Sequence, residues 1–533
     1  MNAGSVPGAG ALPSESEEGG GGSPRARAAL VLGLAVFALI LLLPAPAGLA
    51  RDAWRLAAVS GLMIVWWIGE ALPIGATSLL PLVLFPLLGI RSAAATAASY
   101  GDPIVFLFLG AFLIALATER SGLHRRFALG MIAAIGAEPR RLVVGFLAAT
   151  SAISMWINNT AVTLMMLPVG ISVVERLAGE ARIDGRRDDA TARAAARSFG
   201  SALMLAIAYG ASVGGMGTLV GTAPNLVFAG AMKTLFPAEP EVGFLRWMLL
   251  GVPLVVVLVA LLAPALLHLA PETPLRRFDF GAAGAAVLRE ERRQLGPMSP
   301  AERIVLGGFV LAVVLWIFRT PLELGSLRIP GWSDLLSDAG FSHDAVVAVG
   351  IGLALLALRA RGGEGGPEVA ALLDWRTVER RVPWGVLLLM GGGFALAAGF
   401  ESTGLAASLA TRLGALAGAP VVALIAAIAA FTTLVSEVAS NTATATLLMP
   451  LLAATSRGLG VSPLLLLVPA TLAASCGFVL PVATPPNAIV FGTGWVPIWS
   501  MVRTGLFLDV AGVVCITIVC RWWLPVVMPG AGG

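Results

Sequence analysis

Apolar residues dominate the chain in long blocks, and polar residues gather between them. Runs of about 18 or more apolar residues can cross the ~30 Å hydrocarbon core of a bilayer as helices. They recur from residue 28 almost to the C-terminus. The pattern predicts crossings over 28–49, 53–71, 74–90, 103–119, 199–236, 247–269, 302–319, 343–359, 383–400, 463–493 and 498–525. Two further apolar stretches, 142–174 and 419–455, carry polar residues at their middle. Each fits a helical hairpin that enters and leaves on one side of the membrane. The expected fold is therefore an all-α polytopic membrane protein, with about 11 transmembrane helices and two re-entrant helical hairpins.

Composition points the same way. Of 533 residues, 57% are hydrophobic and 12% charged, where a soluble protein carries about 25% charged residues. An ordinary soluble enzyme is excluded. Cys476, Cys515 and Cys520 lie inside apolar stretches, where a thiol behaves as a small hydrophobe. His124, His268 and His343 sit in separate segments, so neither a disulfide framework nor a Cys/His zinc spacing is present. The net charge of +4 suggests no nucleic-acid partner.

The distribution of basic residues orients the chain. With a cytoplasmic N-terminus and both hairpins re-entrant, 25 of the 35 basic residues fall on the inside, as cytoplasmic loops should. Treating either hairpin as one crossing would switch every later loop and partly cancel that bias. The implied organisation is a disordered cytoplasmic tail over 1–27 and a first transmembrane helix over 28–52. A first repeat over 53–269, a cytoplasmic linker over 270–301, a second repeat over 302–525 and a tail over 526–533 follow. An Ala45-Pro46-Ala47 triplet could imitate a signal-peptidase site, but the tail before the first helix is long for a signal peptide.

The repeat rests on rare polar residues. At an offset of 282, Gly110 meets Gly392, Ser154 meets Ser436, Asn159 meets Asn441, Thr160 meets Thr442 and Pro168 meets Pro450. At an offset of 262, Gly221-Thr-Ala-Pro-Asn225 meets Ala483-Thr-Pro-Pro-Asn487. The change in offset fits an Arg-rich insertion at 176–197 that only the first half has. Five crossings per half, an odd number, make the copies inverted in the membrane. Inverted repeats with interrupted helices are the architecture of secondary transporters, with the site where the halves meet.

Chemistry concentrates at four motifs. Ser154, Asn158, Asn159 and Thr160 lie at the first hairpin tip; Ser436, Ala439, Asn441 and Thr442 lie at the second. A re-entrant tip leaves main-chain groups unpaired at membrane depth, at several kcal/mol each unless protein, water or ions satisfy them. Asn and Thr oxygens, with tip carbonyls, can replace the hydration shell of a small monovalent cation. The helix leaving each tip directs about half a positive charge toward the midplane, which favours an anion. In the broken helices 199–236 and 463–493, proline interrupts the backbone and frees carbonyls beside Thr222 and Thr484. No Arg or Lys lies in the four motifs, so bound cations and helix dipoles must neutralise an anionic ligand. Glu437 is the one acid at the tips. It is a functional candidate or a structural carboxylate pinning the hairpin. Buried Asp, His or Cys pairs, which an enzyme would need, are missing there.

At these residues the chain resembles the divalent anion:sodium symporter family, which transports di- and tricarboxylates or sulfate. Glu70-Ala-Leu-Pro73, Leu107-Phe-Leu-Gly110, Leu123-His-Arg-Arg126, Leu373-Asp-Trp375 and Ser440-Asn-Thr442 carry the likeness, with the paired Thr-Pro loops. The resemblance implies a homodimer in the lipid bilayer of the cell inner (plasma) membrane, with a scaffold domain and an elevator-type transport domain. It implies one sodium site at Ser154, Asn158, Asn159 and Gly221, and another at Ser436, Ala439, Asn441 and Ala483. Substrate carboxylates would meet Asn159, Thr160, Asn441, Thr442 and Thr484. Asn158 departs from the Ser common in the family. The activity implied is sodium-coupled uptake of a small dicarboxylate anion such as succinate, fumarate or malate. A sodium-independent exchanger, a sulfate or tricarboxylate carrier and an anion channel are the alternatives.

Overall fold

The computed structural model describes residues 24–182, 188–278, 283–324, 327–336, 342–360, 370–413, 420–528 and 530. Most of the tail expected over 1–27, and part of that over 526–533, lies outside the described residues. The described residues are mostly helical. Eight of the described helices are long and apolar enough to cross a membrane, and shorter apolar helices accompany them at Ile74–Leu87, Asp344–Ala357, Val421–Ser436 and Leu464–Ala473. The helices Phe244–His268, Pro300–Ile317 and Ile498–Ile518 leave Val256, Val310, Leu311, Leu506 and Val510 exposed. An exterior of that kind suits hydrocarbon, since every main-chain group is satisfied within the helix. The fold is that of a multi-pass membrane protein.

Two compact units divide the chain: residues 1–100 with 383–405, and residues 101–382 with 406–533. In the smaller, Pro24–Leu42 packs along Arg51–Ile68, and Trp384–Ser402 packs on Ala93–Tyr100 and Ile74–Thr77. Glycine permits that last approach: a Cβ on Gly392 would stand 2.5 Å from the Ser78 carbonyl oxygen. The predicted crossing over 74–90 is interrupted, as Ile74–Thr77 and Leu80–Leu87. Pro81 in the first turn of the second piece supplies no N–H to continue the ladder from the first.

The larger unit holds both hairpins and both broken helices. Pro139–Ser154 and Asn159–Glu180 form the first hairpin; Val421–Ser436 and Asn441–Leu459 form the second. Both return helices carry an interior proline, Pro168 and Pro450. The broken helices are Asp189–Gly215 with Ala223–Leu235, and Leu464–Ala473 with Pro485–Phe491. Gly110 repeats the role of its counterpart Gly392: a Cβ there would lie 2.5 Å from the Ala348 carbonyl carbon, so Pro103–Ser121 and Asp344–Ala357 pack closely.

The segment 270–301 is more ordered than a linker requires. It contains the helix Ala283–Leu295, which packs against Leu123–Ile135 and Asn159–Glu180. Arg125 pairs with Glu291 at 2.6 Å, and Arg126 pairs with Glu302 at 2.8 Å while donating to the carbonyls of Leu295, Gly296 and Pro297. Glu302 also closes a capping box with Ser299 at the start of Pro300–Ile317, which satisfies two otherwise orphaned donors. The Leu-His-Arg-Arg motif at 123–126 thus clamps this segment.

Candidate functional site

Each hairpin turns where its sequence stops supporting a helix. The first helix ends at Ser154, and Asn158 caps the next by accepting a hydrogen bond from Ala161 N at 2.8 Å. The departure from serine at 158 therefore keeps an N-cap residue of comparable strength. That contact occupies the Asn158 amide oxygen. In the second hairpin the break falls between Ser436 and Asn441, and Ser440 makes no side-chain cap.

The two tips share one geometry. Ser154 is wholly buried, with Oγ 2.9 Å from Asn159 Oδ1 and 2.7 Å from the Ala211 carbonyl, two acceptors for its single proton. Ser436, also wholly buried, lies 2.9 Å from Asn441 Oδ1 and 2.6 Å from the Ala474 carbonyl. Asn159, Thr160, Asn441 and Thr442 are half-buried around these serines. Ala439, Gly221, Ala483 and Thr484 are buried.

Oxygens converge on the first break. A Cβ on Gly221 would stand 2.5 Å from the Gly215 carbonyl oxygen and 3.0 Å from those of Met155 and Ser154. One on Gly215 would stand 2.6 Å from Asn159 Oδ1 and 3.2 Å from the Gly221 carbonyl oxygen. Three main-chain carbonyls thus flank one side-chain-free position, and a carbonyl with an amide oxygen flanks the other. Such a donor set suits a hard monovalent cation and repels an anion. In the second break the atoms nearest a Cβ on Gly477, the counterpart of Gly215, are instead the Ser436 carbonyl oxygen at 3.2 Å and Ala483 Cβ at 3.3 Å.

Asparagines that end the loop motifs hold both breaks open. Asn225 Nδ2 donates to the carbonyls of Gly215 at 3.1 Å and Thr218 at 2.7 Å. Asn487 Nδ2 donates to Gly477 and Leu480, at 3.0 Å each. All four acceptors obey the 262-residue offset. Both asparagines are fully buried, and among the described residues neither Oδ1 has a hydrogen-bond partner. Thr484 is not simply a cavity wall: its Oγ accepts from Asn487 N at 3.3 Å, capping Pro485–Phe491. Thr222, its counterpart, makes no such cap.

Tertiary packing joins the halves. The return helix Asn159–Glu180 packs on Pro485–Phe491 of the second half, and Asn441–Leu459 packs on Ala223–Leu235 of the first. Each hairpin thereby meets the other half's broken helix.

The matches to known proteins follow this geometry. The family described as sodium:sulfate symporter transmembrane region matches residues 25–529. The chain belongs to the sodium:sulfate symporter family. Among its relatives are proteins named sodium-dependent dicarboxylate transporter SdcS from Staphylococcus saprophyticus and Staphylococcus aureus. Each is 37% identical over 483 residues, which cover 91% of this chain and 88% of the relative. The solved structure of Neisseria gonorrhoeae MtrF, titled as illuminating a class of antimetabolite efflux pumps, superposes with a TM-score of 0.51 at 14% identity. That match covers 94% of this chain and 96% of MtrF, and it shows the shared fold.

Several site-building residues of this symporter-family chain escape a sequence reading. Tyr209, one of only two tyrosines, is fully buried and donates to the Phe478 carbonyl at 2.7 Å, tying the first broken helix to the second. Its rarity in an apolar helix was the available signal, because a buried tyrosine hydroxyl needs a partner. Trp247 Nε1 donates to the Met216 carbonyl at 3.0 Å and fixes the loop before Gly221. Nothing in the sequence distinguishes it from a packing tryptophan.

Proposed function

We propose that the chain is a sodium-coupled symporter importing small dicarboxylates, such as succinate, fumarate or malate. The observation that carries this reading is the pair of matched Ser–Asn ties, Ser154 with Asn159 and Ser436 with Asn441, each beside a broken helix. Relatives named as sodium-dependent dicarboxylate transporters support the same substrate class and coupling ion.

In this reading one sodium ion is held by Ser154, Asn158, Asn159 and Gly221, and the other by Ser436, Ala439, Asn441 and Ala483. The Asn158 amide oxygen also serves as its helix cap. Substrate carboxylates are bound by Asn159 and Thr160 at one tip and by Asn441, Thr442 and Thr484 at the other. Two similar polar tips suit a ligand with a carboxylate at each end. The motifs carry no fixed cation, so sodium and the N-termini of the two return helices neutralise the dianion. Sodium binding then creates the anion site, which couples the two fluxes. The inverted halves sit in the plasma membrane with the N-terminus cytoplasmic. A homodimer carries the hairpins and broken helices across the bilayer as an elevator.

Purified protein in proteoliposomes tests the reading. Labelled succinate should accumulate against its gradient when sodium is imposed outside, and should not when potassium replaces it. Sodium-independent flux that requires succinate on the opposite side would overturn symport in favour of exchange.

A further inference from the structure

The two halves agree closely around the buried serines and differ at the residue that follows. At the 282-residue offset, Met155 stands opposite Glu437. In the first half the tie between hairpin tip and broken-helix loop is neutral: the Thr218 hydroxyl donates to the Met155 carbonyl. In the second half the Glu437 side chain reaches into the loop. Its Oε1 accepts from Val479 N and its Oε2 from Leu480 N, at 2.9 Å each. Leu480 is the counterpart of Thr218 at the 262-residue offset. The same two pieces of backbone are therefore tied in both halves, by a hydroxyl in one and a carboxylate in the other.

That carboxylate is only 7% exposed, and the partners named are main-chain amides rather than a basic side chain. Asp509, on Ile498–Ile518, is a second buried acid of this half. Both Glu437 oxygens accept from amides, an arrangement that suits a carboxylate anion. The charge is covalently adjacent to Ser436 and two residues from Ala439. It is also bound to the loop that leads to Ala483 and Thr484. In this dry setting the effective dielectric is low and salt screens little.

We propose that Glu437 makes the two cation sites unequal, so that the second-half site binds sodium more tightly and fills first. The proposal rests on reading both tips as sodium sites. Hydrogen bonds from two amides hold the carboxylate in place but do not cancel its charge. A cation at Ser436, Ala439, Asn441 and Ala483 gains an attraction that Met155 cannot supply at the first tip. The second site is then occupied at low sodium, before substrate arrives, and the first responds to sodium over a higher range.

The test uses full-length protein in detergent, with the thermal unfolding midpoint followed against sodium chloride at ionic strength held constant by choline chloride. Wild type should respond in two phases. Asn441→Ala should remove the tight phase and Asn159→Ala the weak one. Glu437→Gln should move the tight phase to about tenfold higher sodium and leave the weak phase in place. Glu437→Asp, which keeps the charge, should stay close to wild type. Met155→Glu should move the weak phase to lower sodium. The proposal is overturned if Glu437→Gln leaves both phases unmoved, or if Glu437→Asp shifts the tight phase as far as Glu437→Gln does. Should Glu437→Gln fail to fold, Met155→Glu decides: an unmoved weak phase overturns the proposal. A sodium response that survives both asparagine variants intact instead removes the tips as sodium sites.

Discussion

Ser154 Oγ lies 2.9 Å from Asn159 Oδ1, across a four-residue gap between two helices. Ser154 Oγ also lies 2.7 Å from the Ala211 carbonyl, so the serine links the asparagine amide to the first broken helix. The Ser436–Asn441 contact does the same in the second half, at the same distance.

Replacing either asparagine by alanine should abolish sodium-driven succinate uptake while leaving expression intact. The serines act through them. Ser154→Ala and Ser436→Ala should each cost about 1 kcal/mol, the net worth of one hydrogen bond. That converts to roughly fivefold weaker apparent sodium affinity in uptake assays. Wild-type uptake by both asparagine variants would remove the tips from the transport cycle.

Gly221 offers a sharper contrast between sequence and structure. Its repeat counterpart is Ala483, so a comparison of the halves suggests that alanine is acceptable. The backbone disagrees: the added methyl would stand 2.5 Å from the Gly215 carbonyl oxygen. Gly221→Ala should lower stability by about 1–3 kcal/mol through overpacking, and should erase stabilisation by sodium in a thermal-shift titration. Ala483→Gly should retain it.

Asn225 and Asn487 staple the two loops. Asn225→Ala or Asn487→Ala leaves two buried carbonyls without their side-chain donor, at about 1–3 kcal/mol each. Asp at either position should be worse, since a carboxylate would face the same two carbonyls. Thermal unfolding of the four purified variants ranks them.

A buried ion pair anchors the larger unit away from the tips. Arg319 Nε lies 2.7 Å from Asp344 Oδ1, both side chains nearly inaccessible, and Arg319 also reaches Glu241 at 3.1 Å. Asp344→Ala leaves the guanidinium without its buried partner and should cost about 3–5 kcal/mol. The double variant Arg319→Met with Asp344→Leu should recover much of that loss. Unfolding midpoints in detergent distinguish the two outcomes.

The sequence by itself determined the membrane class, the repeat and the helix breaks at the four motifs. Each follows from local physics. Long apolar runs can be satisfied only in hydrocarbon or a buried core, and Asn, Thr or Pro in the middle of such a run favours the start of a new helix. The matched positions Ser154/Ser436 and Asn159/Asn441 were legible because polar residues are rare in such a chain. Asn225 and Asn487 were visible as motif ends, but their role as staples was not, since their acceptors are main-chain carbonyls that carry no sequence signature. The same blindness hid Tyr209 and Trp247, whose partners Phe478 and Met216 contribute only backbone. Tertiary structure decided that each return helix packs on the other half's broken helix, which pairs residues more than 200 positions apart. It also decided that the Glu437 carboxylate meets the amides of Val479 and Leu480. Contacts of that kind depend on how two helices meet in space, and no local pattern encodes them.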